Sequence, residues 1–414
     1  MHPNPIPRIV LLSLLFLSKA VAENGPGVAS MNLKGIASPS CAQSEYLPSN
    51  ACSGTVSAAF APDHSLWQVW AQNEHVYLQS SRDQGRTWSP PIRVNPEAEA
   101  VRTQGESRPH IQIGPEGNLY VSWDLNLERR FSGHIRFSRS TDGGKSFSTP
   151  MTVNSNRDLI GHRFNEMIMA PDGRILIFWL DARDAEAAKR VGKEVNASSL
   201  YYTWSEDRGA SFQPDRRAAA STCQCCRIRA AIDSDGLVSV IWRHVFSGSI
   251  RDHALLHFNA FDRPGALHRI ADQGWAIEAC PHHGPGFSIG DAGRYHATWF
   301  NNADSARGLF YSASDNRGES WSNPLNFGEP QGMASHPDVL ALNKRTYLTW
   351  IEFDGSHNVL RMMRSKNRGK TWGTAENLAK STEDTDHPFL ISDGEKVFLS
   401  WHVPGVKYRI FQLE

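Results

Sequence analysis

Ser140-Thr141-Asp142-Gly143-Gly144-Lys145-Ser146-Phe147 is a phrase that this chain repeats. Its pattern is Ser, any residue, Asp or Asn, any residue, Gly, any residue, Ser or Thr, then an aromatic. Ser81-Arg82-Asp83-Gln84-Gly85-Arg86-Thr87-Trp88 is a second copy. Others occupy 205–212 (with Asp207 and Gly209), 314–321 (Asn316, Gly318) and 365–372 (Asn367, Gly369). Each has the chemistry of a tight turn: the Asp or Asn side chain bonds turn backbone, and Gly supplies positive φ. A turn recurring roughly every 50 to 60 residues implies one supersecondary unit copied around a ring or along a solenoid.

A second phrase counts the units. It is a turn followed by an alternating strand that ends in Trp, as in Gly117-Asn118-Leu119-Tyr120-Val121-Ser122-Trp123. Copies end at Trp70, Trp123, Trp179, Trp242, Trp299, Trp350 and Trp401. Short apolar stretches such as 110–113 and 339–342 precede them, and another strand leads into each boxed turn. The unit is therefore four strands, A to D, with the boxed turn between C and D. The fourth unit has Asp262-Arg263-Pro264-Gly265 where the box belongs, and the seventh ends after strand C (406–412). The segment 30–36 is expected to supply the missing outer strand and close the ring, leaving no exposed edge.

The boxed phrases resemble the Asp-box (BNR) repeats of the sialidase superfamily, and the resemblance runs through nearly the whole chain after its first residues. It implies an all-β chain folded as a β-propeller, with four-stranded blades and the boxes on the face away from catalysis. The Trp phrases give seven blades; six is the alternative by analogy with sialidases.

Residues 1–22 read as a signal peptide: His2 and Arg8, an apolar run at 9–17, and Ala20-Val21-Ala22 as a small-residue cleavage site. Residues 23–414 then form a single exported domain, secreted or periplasmic, with no transmembrane segment. The sequon Asn196-Ala197-Ser198 matters only in a eukaryotic secretory route. Lys plus Arg and Asp plus Glu are 43 each, so no net field favours nucleic acid. No nucleotide cofactor is expected.

In a propeller the starts of all A strands converge on one mouth of the central channel. Those positions bring together Cys52; Arg108 and His110; His162, Arg163 and Glu166; Cys223, Cys225, Cys226, Arg227 and Arg229; Cys280, His282 and His283; His336 and Asp338; Asp386 and His387. Blades four and five are neighbours, so Cys280 can approach the Cys223-Gln224-Cys225-Cys226 loop. Thiolates with imidazole suit a soft or borderline ion, copper first and zinc second. The metal reading takes Cys223, Cys225, Cys226 and Cys280 with His282 or His283 as ligands, and Arg227 and Arg229 as the cations that lower the thiol pKa values. The other reading makes all six cysteines bridges, with Cys41 to Cys52 pinning the N-terminal segment and Cys280 joined to the blade-four loop. Both stand at this point.

Sialidase chemistry needs an arginine clamp, a Tyr nucleophile with a Glu partner, and an Asp. The family's Phe/Tyr-Arg-Ile-Pro phrase is missing from 52–88, and no Tyr stands at an A-strand start. The resemblance thus carries the fold and argues against that reaction. Arg108, Arg163, Arg227, Arg229 and Arg243 are the candidates for binding an anion. Glu166, Asp338 and Glu352, with Asp124, Asp181 and Asp386, are the carboxylates open to other glycan chemistry. Residues 181–198, the longest B–C insertion, read as a solvated loop, with a short helix over the mouth as the alternative.

Overall fold

The computed structural model describes residue 41, residues 48–193 and residues 195–413. Seven antiparallel sheets follow one another along the chain: 56–93, 110–152, 162–222, 229–269, 286–327, 335–381 and 389–413. Each of the first six has four strands and the seventh has three. They are the blades of a seven-bladed β-propeller, the higher of the two counts read from sequence. The expected signal peptide and the closing strand at 30–36 lie outside the described residues.

The seven Trp positions explain the regularity. Every one lies in the second strand of its blade and is 0% to 1% exposed. Emptying such a site typically costs about 3–5 kcal/mol, so one residue per blade fixes strand B in the core. The strands do not stop at Trp as expected: they run one to four residues further, for example Leu119–Asn126 past Trp123. The extra residues pair in register with strand C, as Leu125 does with His134.

All five boxed turns accept the same two backbone N–H bonds, while the hydroxyl bond runs from Ser or Thr to Asp in three and from Asn to Ser or Thr in two. In the first, Ser81 Oγ accepts from Gly85 N at 2.8 Å, and Asp83 accepts from Thr87 N at 2.8 Å and Thr87 Oγ1 at 2.6 Å. Asn316 and Asn367 replace Asp without loss, accepting from Ser320 N and Thr371 N at 3.0 and 2.8 Å. Each turn also reaches the preceding blade. Phe212 meets Phe137 at 4.9 Å, and Trp372 meets Tyr311 at 4.9 Å. Trp88 of blade one meets Tyr408 of blade seven at 6.1 Å, so the seam uses the same kind of contact as the other boxed joints. Blade four lacks the box; there Arg174 of blade three lies 3.8 Å from the Phe261 ring.

The insertion after strand B of blade three is a helix, Arg183–Arg190, rather than the solvated loop expected. Asp184 and Glu186 open it and Lys189 and Arg190 close it, matching its dipole. Asp184 anchors it to the sheet by accepting from Ser199 Oγ at 2.6 Å and Tyr201 OH at 3.1 Å.

Candidate metal centre and central channel

Of the six cysteines, Cys41 and Cys52 are bridged and the other four are free thiols. The bridge expected between Cys41 and Cys52 is present; those considered for the blade-four loop are not formed. The loop before the first strand of blade four turns three thiols inward. Cys223 is held by its amide donating to Arg243 O at 2.9 Å. Its Sγ lies 3.6 Å from Cys225 Sγ and 3.2 Å from Cys226 Sγ, and all three residues are 1% to 3% exposed. Cys280, from the lead-in to blade five, is exposed and hydrogen-bonded to Cys225. That bond leads the causes that bring the Cys280 thiol down to about 7. Hydrogen bonds from Cys225 and Cys226 hold Cys223 well below the usual thiol range. Cys225 is pushed up, first by its bond to Cys223, and Cys226 is pushed up first by burial.

The charges around the thiols are unusual. Arg243 and Arg251 are 1% and 2% exposed, yet neither has a carboxylate within ion-pair distance among the described residues. Arg243 donates only to the carbonyls of Arg251, His283 and Phe300 at 2.7–2.9 Å, and Arg251 to Ile277 O at 2.7 Å. Arg163 donates to Gln224 O at 3.4 Å and sits 5.3 Å from the rings of Phe131 and Phe164. Burial, then Arg102, lowers it to about 10. Arg243 acts electrostatically on Cys223 and Cys226, and Arg251 and Arg163 on Cys280. These guanidiniums, rather than Arg227 and Arg229, are the cations that face the sulfurs.

The imidazoles form a separate row. His283 lies tilted against Phe300 at 4.2 Å and against His336 at 4.6 Å, and His336 stacks on His387 at 3.6 Å. The ligand atoms of Cys223, Cys225 and Cys226 form one close group and those of Glu106, His336 and His387 another; neither contains His282 or His283. His282 borders the same cleft as Cys225 and Cys280, and its carbonyl accepts from His336 Nε2 at 3.2 Å. Burial, then other imidazoles and arginines, holds His283 and His387 well below the usual range; burial, then Arg227, brings His336 to about 3.

Inside the channel, a cavity of about 310 Å³ is lined by Arg108, Arg227, Arg229, His110 and Glu166. Each arginine is already matched. Arg108 meets both oxygens of Asp386 at 2.5 and 2.8 Å, and Arg227 meets Glu106 at 2.9 Å. Arg229 lies 3.7 Å from both Glu166 and Asp338, and the Phe389 ring underlies all three guanidiniums. Of the five arginines expected to bind an anion, Arg108, Arg227 and Arg229 are thus neutralised from within, whereas Arg163 and Arg243 are not. Burial pushes the Glu166 carboxyl up and, with Arg229 and Arg108, brings His110 to about 3. Glu352 is elsewhere: it accepts from Trp350 Nε1 at 2.7 Å and pairs with Arg361 at 3.0 Å, in blade six. Asp181 does the same for Trp179 at 2.8 Å.

Sequence reading missed Glu106. From the lead-in to blade two it crosses the mouth, accepting from Arg227 N at 2.7 Å and Gly284 N at 2.9 Å. It thereby ties the residue after Cys226 to the segment that carries Cys280. The available signal was a lone acid two residues before Arg108.

These features define a seven-bladed propeller with a thiol cluster at one mouth. No family model matches the chain, and curated proteins yield no match. Among solved structures, an ulvan lyase of polysaccharide lyase family PL25 superposes with TM-score 0.54 at 12% identity, over 86% of this chain and 93% of its own. The polysaccharide lyase Uly1 gives 0.53 at 9% identity, over 84% and 87%. A leech intramolecular trans-sialidase gives 0.48 at 10% identity, over 84% and 83%. The chain shares the propeller fold of glycan-acting enzymes, and at such identities the likeness is one of fold. No helix among the described residues is long and apolar enough to cross a membrane.

Proposed function

We propose that this chain is an exported propeller that binds a soft metal ion, copper(I) before zinc, on Cys223, Cys225, Cys226 and Cys280. The observation that carries the reading is the meeting of buried thiols with buried guanidiniums that lack carboxylates. An unpaired buried charge is strongly unfavourable. Thiolates around a metal ion are a polyanion, and would supply the missing counter-charge to the buried Arg243 and Arg251, with the half-buried Arg163 beside them. Metal–sulfur bonds of about 2.3 Å put the sulfurs of a tetrahedral site about 3.8 Å apart; Cys223 and Cys225 lie near that at 3.6 Å, Cys223 and Cys226 are closer at 3.2 Å, and Cys280 lies outside this close group of three. All-sulfur donors select Cu(I) or Zn(II) over hard cations. His282 is the imidazole that lines the same cleft as Cys280; His283 is committed to the row with Phe300 and His336.

Each thiol sheds its proton as the ion binds, so affinity falls as pH falls. Export is supported by the Cys41–Cys52 bridge together with the signal-like N-terminus. The five boxed turns are, in this reading, Asp-box repeats serving as scaffold.

Elemental analysis of protein from its native compartment, with thiol titration, tests the proposal. One equivalent of copper or zinc, lost in Cys225→Ser/Cys226→Ser while the β circular dichroism persists, is expected. Metal-free protein whose four thiols titrate without affinity for Cu(I) would overturn it. A second reading is a glycan-acting channel, supported by the raised Glu166 carboxyl facing Asp338 across Arg229. Turnover of aryl glycosides or uronate polymers that Glu166→Gln abolishes would establish it.

A further inference from the structure

Beside the thiols a cleft of about 610 Å³ opens beneath the helix Arg183–Arg190, with Cys225 and Cys280 on its wall. Its size falls in the range of small-molecule sites. Five of its lining side chains are cationic, namely Arg129, Arg130, Arg163, Lys189 and Lys193; among the described residues only Glu186 is anionic, and it is engaged by Arg129 at 3.2 Å. Arg130, Arg163, Lys189 and Lys193 have no ion-pair partner among the described residues. The chain as a whole is electrically balanced, so this concentration is local. The cleft also has an apolar side. Phe131, Leu159 and Val195 line it at 55%, 43% and 45% exposure, three of the nine large apolar side chains left exposed among the described residues. Such exposure on a concave wall marks a binding surface.

We propose that this cleft binds a small amphipathic anion that carries the soft metal ion as a chelate, and that the ion passes from it through Cys280 to the three buried thiols. The inference rests on the metal reading above. Cations attract and orient the carrier, Phe131 and Leu159 take its apolar faces, and the exposed thiol is the first protein ligand the ion meets. In the transfer, bonds from carrier to metal break as bonds to sulfur form, and thiol protons leave to solvent. The carrier departs as the free anion, and no electron moves.

The test uses the full-length, reduced, metal-free protein and two copper(I) donors: the bicinchoninate complex, polyanionic and aromatic, and the acetonitrile complex, small and cationic. Binding of metal-free bicinchoninate is measured separately by calorimetry. Bicinchoninate should bind, and in Arg130→Glu/Lys189→Glu both its binding and copper transfer from its complex should fall about tenfold or more. Loading from acetonitrile and the final stoichiometry should not change. Both substituted residues are on the surface, and Arg130→Gln/Lys189→Gln provides a milder variant with a smaller loss in the same direction. Copper uptake from both donors that ignores the substitutions, with no bicinchoninate binding, would overturn the cleft and leave the metal centre standing. Protein that retains copper from neither donor would overturn both.

Discussion

Removing Glu106 should be far more damaging than removing it together with Arg227. The Glu106 and Arg227 side chains are 3% and 6% exposed and lie 2.9 Å apart. Glu106→Leu leaves the guanidinium buried, with only the carbonyls of Pro285 and Pro337 as hydrogen-bond partners and the Phe389 ring beneath it. Breaking a buried pair from one side costs about 3–5 kcal/mol. The amides of Arg227 and Gly284 also lose their acceptor, and a buried donor left unpaired costs about 1–3 kcal/mol. Glu106→Leu/Arg227→Met removes the stranded charge as well, so the coupling in the double-mutant cycle should be about 2 kcal/mol or more. Equilibrium urea unfolding of metal-free protein gives these numbers. Because the pair joins the Cys226 and Cys280 segments, the single variant should also weaken copper binding about tenfold, as loss of supporting contacts does at other metal sites. A single-variant loss below about 1 kcal/mol, or simple additivity, would refute the view of this pair as the strut of the mouth.

Four further outcomes are expected. In metal-free protein, alkylation of Cys280 by iodoacetamide should be half-maximal near pH 7, and Cys225→Ala should move the midpoint upward because the bond that stabilises the thiolate is gone. Cys52→Ser opens a loop closed across 11 residues, and should lower stability by about 3 kcal/mol in chemical unfolding. Gly284→Ala should perturb the mouth severely, since a Cβ there would stand 2.2 Å from Arg227 Cγ; loss of copper binding with retained sheet signal would show it. The Asp83 and Asp142 carboxyls are brought down to about 2, chiefly by Thr87 and Ser146. Their contribution is complete above the ordinary value of 3.8 and is lost as pH falls through 2. In Asp83→Asn/Asp142→Asn the thermal midpoint should therefore drop less between pH 4 and pH 2 than in the parent.

The fold was legible because its signals are local and repeated. One Trp per blade marks a buried strand, and the boxed turn closes its own hydrogen bonds whatever surrounds it, so both can be counted from sequence. The helix Arg183–Arg190 was less so: a short charged Ala-rich run satisfies helix and loop equally, and anchoring of Asp184 by Ser199 and Tyr201 decides it. The convergence of cysteines on one mouth followed from topology. Their charge partners did not, because Arg243, Arg251 and Arg163 lie on different blade segments and only packing turns them to the sulfurs. The same holds for Glu106 and for Glu352, where the partner and not the residue type determines the role.

The seam between Trp88 and Tyr408 makes the ring indifferent to where its backbone starts. Each boxed aromatic is a key fitted into the blade before it, and blade one locks into blade seven as the other boxed blades lock into theirs. A circular permutant opened at the exposed loop after Trp372, with the native ends joined through a linker, keeps every such key and should refold with its thiol cluster intact.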